Sequence, residues 1–292
     1  MINSGLIVNQ GFEFMLYSTP VQTKDFTFDL NINLSRNVSK VKELADGVDY
    51  LFFNGDANFP INVGTRVGHR LGEIYAKNLY KRDENGNMIV NKQGRPTKVS
   101  GEDAFQYTLD HPIGNIEPDL LMSVSPSFTY KGFTLSALFD MKFGGDIVSV
   151  SEAMATSTGL AARTANRGNA ENGWKIVAPG VTADGTVNST AMNAQRYYTS
   201  MSGMAEEFVY DASFIKLKEL SLGYSFPKSI LKKTPLTSLN VAFVARNLAY
   251  LMKHTPGTSP EGGYDTSMFS QAIDYMSVPY TRTFGLSINL GF

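Results

Sequence analysis

The sequence predicts an all-β protein, an antiparallel transmembrane β-barrel with long extracellular loops. Three observations predict it. Apolar and polar residues alternate with period two over several segments of about ten residues, the length that crosses a bilayer as a tilted strand. No stretch approaches the roughly 20 consecutive apolar residues of a membrane helix. The connections between the alternating segments are short at one end and long at the other.

The last segment, residues 283–292, alternates without error. Phe284, Leu286, Ile288, Leu290 and Phe292 share one face, and Thr283, Gly285, Ser287, Asn289 and Gly291 the other. One face for lipid and one for water require this pattern. Upstream, Phe26, Phe28, Leu30, Ile32 and Leu34 alternate with Thr27, Asp29, Asn31, Asn33 and Ser35. Similar runs occupy residues 120–130, 133–143, 215–226 and 239–251. The first, 6–17, is less clean. Ile61–Val67 and Glu73–Tyr80 are candidates for an extra pair, and residues 147–158 for a short helix.

Direction follows from the connections. Only Lys131-Gly132 separates residues 130 and 133, a two-residue hairpin turn. Residues 18–23 and 226–238 are also modest, whereas 36–119, 144–213 and 252–279 are long. If the chain ends in the periplasm, every short turn is periplasmic and every long loop extracellular, the habit of outer-membrane barrels. The count is seven strands, or nine with the extra pair. A closed bacterial barrel needs an even number, at least about eight, and an open sheet leaves bare edges. No basic, apolar leader opens the sequence. Residues 1–292 are therefore expected to be the C-terminal part of a larger barrel.

Composition excludes several classes. A formal net charge of −1 gives no electrostatic reason for a nucleic-acid partner. Cysteine is absent, which removes disulfides and thiolate metal sites. His69, His111 and His254 stand far apart and fit no ligand spacing, so they read as solvated loop residues. No nucleophile–base pair or phosphate loop can be nominated, and no metal or cofactor is expected. Asp83-Glu84-Asn85-Gly86-Asn87 lacks the glycine position and closing glutamate of a calcium loop and reads as an Asn-Gly turn. Lys216 and Lys218 read as snorkelling at the extracellular interface.

Several stretches together resemble one family. The run from Asp211 to Tyr224, DASFIKLKELSLGY, is similar to a D-x-S-F-I-[RK]-L-K-x-[LV]-x-L-G-Y signature. Ala245-Arg246-Asn247-Leu248 looks like its N-L strand end, and Ser259-Pro260-Glu261 like its D-P-E loop with Ser for Asp. Pro279-Tyr280-Thr281-Arg282-Thr283-Phe284-Gly285 looks like its C-terminal motif, with further likeness at 128–133 and 143–147. The chain resembles the C-terminal third or so of SusC/RagA-type TonB-linked outer-membrane proteins. The resemblance implies a plugged barrel of roughly 22 strands, whose plug domain, TonB box and signal peptide lie outside this sequence. It implies import of oligosaccharides or peptides with a SusD-like surface lipoprotein, coupling to the TonB complex, and insertion by the outer-membrane assembly machinery.

Two sets of residues are functional candidates. Trp174, Arg196, Tyr197 and Tyr198 combine aromatic faces with a guanidinium, the chemistry of a sugar-binding surface; the alternative is that they pack the loop or the lipoprotein interface. Residues 252–279, rich in glycine and proline, are a candidate contact for that lipoprotein. Gly285, Ile288, Leu290 and Phe292 read as the signal for the assembly machinery, or simply as the end of a lipid-facing strand. Two other readings stay open: a passive porin or adhesin barrel, and a soluble β-sandwich that binds carbohydrate and would cover the Phe284–Phe292 face with a second sheet.

Overall fold

The computed structural model describes residues 5–54, 61–263 and 270–292. Seven strands form its main sheet: β1 (Leu6–Gln22), β2 (Phe26–Glu43), β3 (Leu120–Tyr130), β4 (Phe133–Phe143), β5 (Phe214–Ser225), β6 (Ser238–Lys253) and β7 (Thr283–Gly291). Each pairs antiparallel with its neighbour in sequence, and β1 and β7 each have one edge unpaired within this sheet. All seven strands stand where alternation places them. Ile61–Arg66 and Glu73–Ala76 do form a pair, but in a separate four-stranded sheet of the first long loop. Their residues are almost all buried, so their apolar character reflects a globular core rather than lipid.

Register makes the two faces continuous. Leu286 lies opposite Phe243, which lies opposite Leu222, then Leu135, Phe128 and Phe28. On the other face Ser287 meets Ala242, then Gly223, Thr134, Thr129 and Thr27. Phe28 and Phe128 stack at 4.7 Å across strands. No second sheet covers the apolar face among the described residues, and Leu286 is 73% exposed. That openness rules against the β-sandwich.

The turns follow their residues. Lys131 and Gly132 have φ of 47° and 88°, the left-handed pair a tight hairpin needs. Thr23 closes the β1–β2 turn by donating from its amide to the Phe26 carbonyl at 2.8 Å. The short connections all lie at one end of the sheet. β1 and β2 run longer than alternation suggests. Seventeen residues at roughly 3.3 Å each give about 55 Å of strand, well beyond a hydrocarbon core of about 30 Å even when tilted.

β5 carries a bulge at a phase slip in the sequence. Leu138 pairs with Glu219 but Phe139 with Leu217, so Lys218 is the extra residue. Ile215 and Leu217 are thereby brought onto the face of Leu220 and Leu222, although 217 and 220 differ by an odd step. A second irregularity lies across from it. Asn247 in β6 has φ of 54° and donates from Nδ2 to the Thr281 carbonyl at 3.2 Å. The N-L motif therefore marks a bulge inside β6, not a strand end.

The buried core lies almost wholly outside the main sheet. Residues between β2 and β3, between β4 and β5, and between β6 and β7 pack into one extracellular body. Its largest cluster joins Ile61, Val63 and Ile74 of the first segment, Val148 and Phe208 of the second, and Ile273 of the third. Val148 pairs in parallel with Ile273, stitching the second and third together. Among the described residues three α-helices serve it: α1 (Glu102–Asp110), α2 (Val150–Thr158) and α3 (Ala194–Met201). The helix expected over 147–158 begins only at Val150, because Asp146–Ser149 is a strand. Ser149 caps α2 by accepting from the Glu152 amide at 3.1 Å.

Leu286→Arg in the full-length parent is expected to cost about 2–4 kcal/mol of folding free energy in lipid, as arginine does near a barrel midplane. Ser287→Arg, one residue on, is expected to cost much less. Denaturant titration in lipid vesicles compares them; equal costs would contradict the assignment of faces.

Candidate functional site: the junction between sheet and extracellular body

The strongest signature in the sequence builds the joint between sheet and body. Asp211 Oδ1 accepts from the Ser213 amide at 2.8 Å and from its hydroxyl at 2.5 Å. The Ser213 oxygen in turn accepts from the Gly144 amide at 2.8 Å. Gly144 has φ of 73°, where any other side chain is strained, and a Cβ there would also push against the Asp119 carboxylate. Phe214 is buried with its ring edge-on to Tyr250 at 5.8 Å. These residues carry the chain from the body into β5 with its polar backbone groups bonded.

Lys216 lies next on that path. It does not snorkel: it is 3% exposed, and its Nζ donates to Glu261 Oε2 at 2.5 Å. Its ammonium also sits over the rings of Tyr280 at 4.8 Å and Tyr250 at 5.1 Å. The Tyr250 hydroxyl donates to the same carboxylate and lies 2.8 Å from the Ser259 hydroxyl. The signature lysine and the S-P-E glutamate thus pair across the bulged end of β5, fixing the third long loop to the sheet. Lys218 points elsewhere, donating to Asp140 Oδ2 at 2.6 Å.

A second hub holds the second long loop. Arg163 donates to Glu207 Oε2 at 3.0 Å and to the Tyr210 hydroxyl at 2.7 Å, with Glu152 Oε1 at 3.7 Å from its Nε. Burial raises the Glu152 carboxyl above its usual 4.5, partly offset by Arg163. Tyr197 and Tyr198 belong to this region and are both buried, in edge contact at 5.1 Å. The Tyr198 hydroxyl donates to the carbonyls of Arg163, at 2.9 Å, and Asn166. Desolvation pushes the Tyr197 hydroxyl up to about 12, helped by Glu207.

The four candidate sugar-binding residues therefore do not form one exposed surface. Tyr197 and Tyr198 face the core because α3 buries positions 194, 197, 198 and 201 on one side. Trp174 and Arg196 are exposed. Trp174 enters α3 by backbone, its carbonyl accepting from the Ala194 amide at 3.0 Å. Arg196 lines a groove of about 680 Å³ between α3 and the 91–95 hairpin. The three histidines are dispersed: His69 Nδ1 lies 3.1 Å from Glu73, His254 Nε2 3.7 Å from Asp211, and His111 is exposed. No metal-binding cluster occurs among the described residues. Asp83 accepts from the amides of Asn85 and Asn87 in the expected hairpin turn. Of residues 252–279, the stretch 264–269 lies outside the described residues. On β7, Ile288 and Leu290 are exposed on the apolar face, Gly285 lies on the other, and Phe292 follows the strand end, 82% exposed.

One open apolar face, one polar face, periplasm-type short turns and a packed body over the opposite end define a segment of a large outer-membrane β-barrel. No family model matches the chain. It is 28% identical to TonB-dependent receptor P3 of Formosa agariphila and 27% identical to TonB-dependent receptor SusC of Bacteroides thetaiotaomicron, in each case over 99% of its length. It spans only 29% and 27% of those relatives. The fold matches chains of the RagAB peptide transporter, with a TM-score of 0.66 at 18% identity, and of the RagAB peptide importer in its open-open state, at 0.65 and 20%. Those likenesses cover 99% of this chain and 30% and 29% of the solved chains. The chain thus resembles, over nearly its whole length, one part of the SusC/RagA-type TonB-linked proteins of the outer membrane.

Glu261→Ala leaves the Lys216 ammonium buried without its carboxylate, and breaking such a pair costs about 3–5 kcal/mol. In the parent protein the third long loop is expected to become cleavable by protease at lower concentration, with the folded barrel retained. Unchanged cleavage would show that the pair does not anchor the loop.

Proposed function

We propose that this chain supplies the C-terminal barrel part of a TonB-dependent importer that takes up oligosaccharides, with peptides as the second cargo class. The observation that carries it is the combination of a lipid-facing sheet with a rigid body over its extracellular end, along a chain alignable for 99% of its length to SusC. A rigid body at the mouth suits selective capture better than free passage, which favours a receptor over a passive porin or adhesin. The likeness to RagAB keeps peptides in view. The plug, the TonB box and the signal peptide belong to the rest of the parent protein on this reading. So does energy coupling through the TonB complex. A SusD-like lipoprotein is the proposed lid, with residues 252–279 among its contacts. Trp174 and Arg196 are the proposed ligand contacts, since exposed aromatic and guanidinium groups serve both sugars and peptides.

Uptake of labelled oligosaccharides by cells with and without the parent gene tests this. Uptake is expected to fall to background on deletion of the gene, and equally on loss of TonB. Uptake that persists without TonB would contradict energised import.

Gly285, Ile288, Leu290 and Phe292 are proposed as the signal read by the assembly machinery. Deleting Phe292 in the full-length parent is expected to reduce heat-modifiable, membrane-inserted barrel several-fold, measured by gel shift. Normal assembly would leave Phe292 a lipid contact only.

A further inference from the structure

The groove that holds Arg196 is built from two elements. The hairpin turn at 91–95 is set by Asn91, whose side-chain oxygen accepts from the amides of Gln93 and Arg95. Gly94 has φ of 72°, and a Cβ there would meet the Thr190 carbonyl at 2.3 Å, so glycine lets the hairpin close onto the segment before α3. On the other side Asn193 caps α3 by accepting from the Arg196 amide at 3.1 Å. Arg95 Nε then donates to Ser200 Oγ at 2.9 Å, which holds its guanidinium over the helix.

The lining is distinctive in charge. Arg95 and Arg196 both face the groove, with Gln93, Gln195 and Thr199 beside them, and no carboxylate lines it. Neither arginine has an ion-pair partner among the described residues, while nearby Glu206 and Glu207 are engaged by Arg82 and Arg163. Paired guanidinium forks favour a carboxylate or sulfate, which they bind with two parallel hydrogen bonds. Carboxamides and hydroxyls suit ligand hydroxyls, since each can donate and accept. Met192 is the single apolar side chain of the lining and no aromatic platform is present. A volume of about 680 Å³ accommodates a short oligosaccharide.

We infer that this groove is a binding site for an acidic, hydroxyl-rich glycan, with Arg95 and Arg196 taking its anionic groups. The inference rests on the import reading and sharpens its cargo. An acidic peptide shares the anion but lacks the ring hydroxyls that the carboxamides serve.

Calorimetric titration of the detergent-solubilised full-length parent tests it, with pentagalacturonate, neutral cellopentaose and pentaglutamate as probes. Pentagalacturonate is expected to bind at least about tenfold more tightly than either other probe, a gap of about 1.4 kcal/mol. Its affinity is expected to fall with added salt and to drop about tenfold or more in R95Q/R196Q, whose thermal unfolding is unchanged because both side chains are exposed. Equal binding of cellopentaose, tighter binding of pentaglutamate, or unaltered affinity in the double variant would overturn the proposal. Absence of binding by pentagalacturonate would overturn it as well. TonB-dependent uptake of labelled oligosaccharides by cells carrying the unaltered parent, measured in parallel, separates failure of this groove from failure of the import reading: uptake that persists while the groove binds no pentagalacturonate overturns the groove alone.

Discussion

Inside a bilayer a peptide N–H or C=O has no water to bond, so each must find its partner in a neighbouring strand. That constraint organises this chain. It forces long antiparallel ladders joined in sequence order, because hairpins are the short way to pair strands. It sets the period of two, because each strand has one face in lipid and one away from it. It also fixes where the chain can depart from regular pairing. The bulges at Lys218 and Asn247 lie toward the extracellular ends of β5 and β6, where Glu261, Tyr280 and the Thr281 carbonyl supply partners.

The extracellular body answers a different constraint. Three segments leave the sheet as long loops. The first buries a small aromatic cluster of its own around Tyr75 and Phe105, and all three share the larger core around Ile74, Val148, Phe208 and Ile273. Full burial of a side chain such as Phe208 contributes about 2–3 kcal/mol. The body is thereby held at the mouth by hydrophobic packing, and locked to the sheet by the Asp211–Ser213–Gly144 bonds and the Lys216–Glu261 pair. A groove between α3 and the 91–95 hairpin inherits that rigidity, which lowers the ordering cost of binding.

Legibility in the sequence followed locality. The seven strands were readable because alternation is a local signal, and Lys131-Gly132 because a tight turn demands left-handed residues. The bulge at Lys218 was legible only as an odd step between Leu217 and Leu220, which the alternating runs passed over. The burial of Tyr197 and Tyr198 was legible only in a helical spacing with Ala194 and Met201, which their reading as ligand candidates passed over. The common core was not, since its members come from three segments with no shared period. Nor was the pairing of Lys216 with Glu261, which stand 45 residues apart and meet only once the third loop folds back. The unlined charge of Arg95 and Arg196 becomes visible only when the hairpin and α3 are side by side.

The natural absence of cysteine makes the faces directly measurable. Single cysteines placed at each position from 284 to 290 in the membrane-inserted parent can be probed with a membrane-impermeant maleimide and with a lipid-borne quencher. Positions 285, 287 and 289 are predicted to take the aqueous reagent and escape the quencher, and positions 284, 286, 288 and 290 to do the reverse. Labelling without a period of two would contradict a strand with one face in lipid.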